Sequence, residues 1–284
     1  MNLTQRRALM ASIALLAATL IVTVNTGMFS PETVPIGIPL PYKVGTLVSI
    51  TLYVAAFLTP LAIHYELEYR AENAMRADVP KLLREVSALI RSGETLTRAL
   101  ALASARVTWR LRLVVNRFVQ GVVGGIEPYE AYARASRGLP KDVRRMLYIF
   151  VEAYESGGRV GDVISLAADY SGRLRDFDSH RAAAMKPYLY VILVALVVFY
   201  IAAAFLLRLS ATISGLPGLE AAMTIDPRAF RAAMYYSALE VSLFSGLLAG
   251  KIIRGKMVYG LTYSLIFLVI GTVVVLWGDR FIPL

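Results

Sequence analysis

Few side chains in this sequence combine a type and a spacing that could carry chemistry. Asp176, Asp178 and His180 alternate at a spacing of two. On a helix that spacing spreads them around the axis, so they cannot converge on a metal ion. Glu152 and Glu155 are three apart and share a helix face. That face suits either part of a cation site completed by another segment or a plain solvated acidic surface. Gly157-Gly158-Arg159-Val160-Gly161-Asp162 is glycine-rich, yet it lacks the Gly-Lys-Ser/Thr that holds phosphates and magnesium, and no strand precedes it. It reads as a helix-terminating corner. There is no cysteine, and the histidines are His64 and His180 alone. Thiolate chemistry, disulfides and a histidine-based metal cluster are thereby excluded. The sequence predicts no catalytic residue, no cofactor and no metal site.

Two other groups of residues could act by charge. Arg106, Arg110, Arg112 and Arg117 surround one predicted helix, and Arg144-Arg145 lie on another, with Arg137 and Lys141 flanking the turn between. Guanidinium groups suit carboxylates on a partner protein and steer an acidic surface towards them. They equally suit a solvated face resting near anionic lipid. Nucleic acid is a poorer match, because no recognition-helix pattern or aromatic platform accompanies the arginines. Glu240 stands alone in the middle of an apolar run, with no basic residue nearer than Arg231. A charge there costs about 2.5–3.5 kcal/mol on insertion scales, so it is expected to face protein or to be protonated. It could hold spans together, meet a partner, or serve as a proton or ion relay.

The elements that must position these residues are set by hydropathy. The chain is 57% hydrophobic and 18% charged, with a mean hydropathy of +0.59, where a soluble domain carries about 25% charge. Five segments meet the roughly 17–25 apolar residues a bilayer crossing requires: Ala8–Val24, Val44–Ile63, Tyr188–Leu207, Phe230–Ala249 and Met257–Trp277. The first follows Arg6-Arg7 and has no small-x-small cleavage site after it, so it is expected to be a retained span. With the N-terminus in the cytoplasm, eleven Lys and Arg near span ends fall inside and five outside. The positive-inside rule then places residues 64–187 and 250–256 in the cytoplasm and the C-terminus outside. The external loop 25–43 carries Pro31, Pro35, Pro39 and Pro41 and is expected to be extended and non-helical. The net charge of +10 is therefore largely a topological signal, since residues 64–187 hold twenty basic and fifteen acidic residues, a net of +5.

Three regions follow: residues 1–63 with two spans, a cytoplasmic domain over 64–187, and residues 188–284 with three spans. Punctuation divides the middle region into six helices. The first takes Asp78 as its cap and Pro80 in its first turn, buries a stripe from Val79 to Ile90, and stops at Ser92-Gly93. The second runs from about Thr95 to Ala105, and the third from Thr108 to Gly124-Gly125. Pro128 opens the fourth. Pro140 opens the fifth, with Val143, Met146, Leu147, Phe150, Val151 and Tyr154 as its stripe, and the sixth starts near Val160 and could continue into span three. The architecture expected is all-α, a polytopic membrane protein with about five transmembrane helices and one cytoplasmic six-helix bundle. A weak internal repeat aligns Ser92–Leu100 with Gly124–Tyr132, each reading as helix stop, glycine, cap, then a helix with a small alanine, Ala99 or Ala131. Gly246 and Gly250 form a small-xxx-small pair suited to close packing.

The stretch Pro80-Lys81-Leu82-Leu83-Arg84-Glu85-Val86-Ser87-Ala88-Leu89-Ile90-Arg91-Ser92-Gly93, followed by Thr95-Leu96-Thr97-Arg98-Ala99-Leu100, resembles the opening of the type II secretion system F domain. There a helix of the form LxxLxxLLxxG precedes a short S/T-L-x-x-A-L helix. The corner from Gly125 to Ala131 resembles the domain's second element. Glu155-Ser156-Gly157-Gly158-Arg159-Val160 resembles its terminal G/S-E-x-G-G-x-L segment, with Tyr154 in place of the family glycine and Val160 in place of leucine. The resemblance covers about residues 78–185. It implies an inner-membrane platform of type IV pili, archaella, Tad pili or type II secretion systems, without enzymatic activity of its own. Such proteins couple a cytoplasmic hexameric ATPase to insertion of pilin-like subunits, so any ATP used would be hydrolysed by that partner. Many members have two such domains; a single one, as in the shorter Tad-type proteins, implies pairing with itself or with a second platform subunit. Arg110, Arg112, Arg144 and Arg145, with Lys251, Arg254 and Lys256 of the second cytoplasmic loop, are the residues expected to dock the ATPase. A small transporter or channel working through Glu240, and a membrane-tethered scaffold, are the alternatives.

Overall fold

The computed structural model describes residues 3–25, 33–36, 38–41, 44–156, 160–214 and 227–281. The chain divides into two units, residues 68–183 and the remainder, 1–67 with 184–284. Ten helices occur among the described residues. In chain order they are α1 (Leu3–Asn25), α2 (Val44–Arg91), α3 (Leu96–Ser104), α4 (Trp109–Val123), α5 (Pro128–Ala135), α6 (Lys141–Leu147), α7 (Ile149–Glu155), α8 (Val160–Ser214), α9 (Pro227–Arg254) and α10 (Leu261–Phe281). The fold class is all-α. Among the described residues the one departure is a short ribbon of β1 (Thr33–Ile36) and β2 (Ile38–Pro41), antiparallel, pairing Thr33 with Pro41 and Ile36 with Ile38. It lies in the proline-rich segment expected to be extended, and a two-stranded ribbon has only edge strands, where proline is tolerated.

In the first unit, 1–67 with 184–284, the apolar segments form helices. Stretches within α1, α2, α8 and α9 are long and apolar enough to cross a membrane. The fifth apolar helix, α10, has 21 residues and follows a 3-10 turn, Met257–Gly260, that was expected to be part of the span. These helices meet through small residues and hydroxyls, as is usual where no hydrophobic force draws helix to helix. The Tyr235 hydroxyl on α9 donates to Leu47 O on α2 at 2.8 Å and also meets the Thr51 hydroxyl. Tyr200 of α8 is fully buried; its hydroxyl bonds that of Ser242 on α9, and its ring occupies the space a side chain at Gly271 of α10 would need. Where α9 meets α10, Ser264 Oγ donates to Leu243 O at 2.9 Å. A Cβ at Gly246 would overlap the Ser264 backbone, and one at Gly250 would overlap Gly260. The expected pair Gly246 and Gly250 thus faces a matching pair, Gly260 at the end of the 3-10 turn and Ser264 on α10, at the same spacing of four.

The second unit, 68–183, is built around one apolar core. Val79, Leu82, Leu83 and Val86 of α2 are at most 1% exposed. They join Ala99 and Leu100 of α3, Leu111, Val115 and Phe118 of α4, Val143 and Leu147 of α6, Phe150 and Val151 of α7, and Ile164 of α8. The expected stripes are buried or, at Leu89, Ile90 and Met146, half-buried against the core, except that Tyr154 is 45% exposed. Two boundaries differ from expectation. The helix of Val79–Ile90 does not begin at Asp78: α2 runs unbroken from Val44 through Pro60 and Pro80 to Arg91. Asp78 caps another helix instead. Its carboxylate accepts from the Thr108 amide at 2.9 Å and from the Thr108 hydroxyl, at the start of α4. The helix expected from Pro140 through Tyr154 is interrupted at Tyr148, giving α6 and α7. There the buried Tyr132 hydroxyl donates to Arg144 O, the carbonyl that also receives the Tyr148 amide. The expected continuation of the last helix into span three is present, since α8 is 55 residues long and includes Pro187.

Burial tends to raise the Asp78 carboxyl, but hydrogen bonds from Thr108 and the Lys81 ammonium outweigh it and hold the group below its ordinary range. A carboxylate with a lowered folded value stabilises fully above its ordinary value of 3.8 and loses that contribution as pH falls through the lower, folded one. Asp78→Ala is expected to cost about 1–2 kcal/mol, the range for loss of a helix cap. The same variant should flatten the acid limb of stability below pH 3.8, which chemical denaturation of the whole chain in detergent at several pH values would read.

Candidate functional site

The two corners of the predicted repeat share one backbone geometry. Gly93 (φ 96°) and Gly125 (φ 81°) both lie in the left-handed region open to glycine. At the first, Gly93 N donates to Ile90 O at 3.0 Å and Glu94 N to Leu89 O at 3.0 Å. At the second, Gly125 N donates to Val122 O and Ile126 N to Gly121 O, both at 3.0 Å. Each is a Schellman closure, which satisfies the last carbonyls of the helix it ends. Thr95 then caps α3 by accepting from Arg98 N at 3.4 Å, whereas Glu127 before α5 makes no such bond. Ala99 and Ala131 are both buried, and Leu96 is half-buried. A Cβ at Gly121 would lie 2.9 Å from that of Ala131, so α4 and α5 pack at contact distance. Glu155 and Glu152 are exposed, as are Asp176, Asp178 and His180. The motif residues Gly157 and Gly158 lie outside the described residues. No group of three or more metal-capable side chains occurs among the described residues.

Close packing of α4 and α5 leaves a shallow groove of about 320 Å³ that the sequence does not announce. Gly121, Ile126, Ala131 and Ala135 line it, and the exposed guanidiniums of Arg117 and Arg134 border it. The spacing of Gly121 and Ala131 is the one signal that could have located it. Arg134 is paired with Glu130 at 2.9 Å.

The seven basic residues expected to dock a partner separate into two kinds. Arg110, Arg144, Arg145 and Lys251 are exposed, and among the described residues their side chains make no hydrogen bond or ion pair. The other three have internal partners. Arg112 Nε donates to Ser104 O at 3.1 Å, and its guanidinium also reaches Ala105 O, closing the end of α3. Arg254 pairs with Glu66 of α2, donates to Tyr259 O at 3.2 Å and lies over the Tyr263 ring at 4.9 Å. Lys256 donates to the Tyr259 hydroxyl at 2.8 Å. Arg106, also noted from the sequence, pairs with Glu85 at 2.6 Å. Glu240 does not face the interior of this chain: it is exposed on α9.

Residues 82–207 match the family model of the type II secretion system (T2SS), protein F. The match begins inside α2, takes in both glycine corners and the whole of α3–α7, and ends within α8. Residues 82–207 are thus similar to the type II secretion system protein F domain, the family that the sequence resemblance pointed to. No curated protein and no solved structure matches the chain. A type II secretion F domain marks a secretion- or pilus-type family of inner-membrane platform proteins, whose members are non-catalytic.

Proposed function

We propose that this chain is the inner-membrane platform of a filament-assembly or secretion machine of the type IV pilus, Tad or type II secretion kind, coupling a cytoplasmic ATPase to insertion of pilin-like subunits. The observation that carries the reading is the F domain over residues 82–207 within a chain of long apolar helices. In this reading the N-terminus and residues 64–187 are cytoplasmic and the C-terminus is external. The chain performs no chemistry of its own and pairs with itself or with a second platform subunit. The transporter alternative is weakened because Glu240 is exposed on α9 and does not line an internal pathway.

The ATPase-facing residues are narrowed by the geometry above. Arg110, Arg144, Arg145 and Lys251 remain candidates because their charges are uncommitted. Arg112, Arg254 and Lys256 have structural work that mutation would disturb first. Charge reversal at both Arg144 and Arg145 is expected to reduce co-purification of the ATPase at least tenfold, with membrane insertion unchanged. Exposed charges act mainly through steering, so raising the salt should weaken the wild-type association in the same direction. Undiminished co-purification of the double variant would remove α6 from the docking surface.

A further inference from the structure

Glu240 is at mid-span in α9, a helix whose apolar stretch runs from Ala232 to Arg254. At a rise of 1.5 Å per residue it lies roughly 12 Å from one end and 16 Å from Lys251 near the other. A glutamate is far too short to bring its carboxylate to either interface. The residue is exposed, and among the described residues it makes no hydrogen bond or ion pair. Its neighbours on the same face are Val241, Phe244 and Leu248, exposed at 36%, 66% and 49%. Those three suit lipid; the carboxylate does not. One turn earlier on the same side of α9, the Tyr236 hydroxyl is buried and among the described residues has no hydrogen-bond partner, while its ring packs against the inner cluster of Tyr200 and Tyr235.

We infer that the Glu240 face of α9 seats a transmembrane helix of a different polypeptide that presents an ammonium or guanidinium at mid-bilayer. Charge complementarity selects this occupant. None of the five apolar segments of this chain holds a lysine or arginine in its interior. A second copy meeting face to face would therefore bring only a second carboxyl to Glu240, leaving both without a cation. A partner with a cation at that depth neutralises the acid and covers Phe244 and Leu248 with apolar side chains. The inference does not depend on the filament-platform reading, since it follows from the position and exposure of Glu240 alone.

The test places the photo-crosslinker benzoylphenylalanine at Phe244 in the full chain and irradiates native membranes. A second position, Val198 on α8, is exposed at 59% and serves as the control. The expected result is a protein adduct from position 244 but not from 198, mapping to a transmembrane segment that carries Lys, Arg or a chain amino terminus. Adduct yield should fall about tenfold in Glu240→Gln, which keeps size and hydrogen bonding but removes charge. It should disappear in Glu240→Lys and return when the partner's cation is exchanged for glutamate. Tyr236→Phe should leave the yield unchanged. An adduct of twice this chain's mass, adducts with lipid alone, a partner segment without a cation, or a yield indifferent to Glu240→Gln would each overturn the inference. So would loss in Tyr236→Phe equal to that in Glu240→Gln. Membrane insertion and detergent melting of the Gln variant, expected to match wild type, exclude misfolding as the cause of any loss.

Discussion

Valine at Gly250 is expected to separate α9 from α10 and to destabilise the chain by more than about 3 kcal/mol, beyond the usual range for overpacking. The reason is what a side chain would meet. At Gly250 the nearest atoms are the backbone of Gly260 and the carbonyl carbon of Tyr259, 3.0 Å away; at Gly246 they are mainly the backbone of Ser264. Flexible side chains could turn aside, but helix backbones can yield only by moving apart. Separation would also break the bond from Ser264 Oγ to Leu243 O. The overlap already exists at Cβ, so Gly250→Ala should show much of the loss and Gly250→Val more. Leu248→Val, two residues away and exposed, should be nearly silent. Thermal melting of the detergent-solubilised chain, followed by size exclusion, would rank the three. Equal melting of Gly250→Val and Leu248→Val would show that α9 and α10 do not pack through these glycines.

The same packing shows what could be read from the sequence and what could not. Gly246 and Gly250 were visible as a spacing, and α3, α4 and α5 were visible because threonine, proline and glycine mark their ends within a few residues. The T2SS F resemblance rested on the same local signals. Local signals failed where the partner was remote. An aspartate two residues before a proline has the form of a helix cap, yet Asp78 caps a helix thirty residues downstream, and Pro80 lies within a helix already formed. At the interruption at Tyr148, the Arg144 carbonyl is shared with a hydroxyl from Tyr132, sixteen residues back along the chain. The basic residues showed the same limit. Composition revealed a supply of exposed cations, but it could not reveal that Arg112 closes α3 or that Arg254 has a carboxylate partner 188 positions away. Glu240 was legible as an acid within an apolar stretch, but Ser237, Ser242 and Ser245 are scattered around the helix beside it, so periodicity could not say which face it occupies.

Arg254 was expected from sequence to meet the ATPase, and the structure supports a different, larger effect. Its guanidinium and the Glu66 carboxylate are 13% and 18% exposed, and the pair is extended by Thr262 Oγ1 to Glu66 at 3.5 Å and by Arg254 to Tyr259 O. Removing one member of a mostly buried pair takes from the other the counter-charge it contacts here, which costs about 3 kcal/mol at the lower end of the range for buried pairs, because both groups keep some water. Glu66→Gln and Arg254→Gln should therefore each lower the melting temperature substantially, and Arg254→Lys should recover only part, since a point charge replaces a planar group stacked on Tyr263. The double Gln variant should lose clearly less than the sum of the singles, because the coupling between Glu66 and Arg254 is lost only once. A docking residue would behave otherwise. If Arg254→Gln melted like wild type while ATPase co-purification fell, the guanidinium would belong to the partner surface and not to the closure of α2 on α9. If melting fell in both single variants and was partly restored in the double, Glu66 and Arg254 would form an internal clasp, and the docking charge of that loop would reside in Lys251.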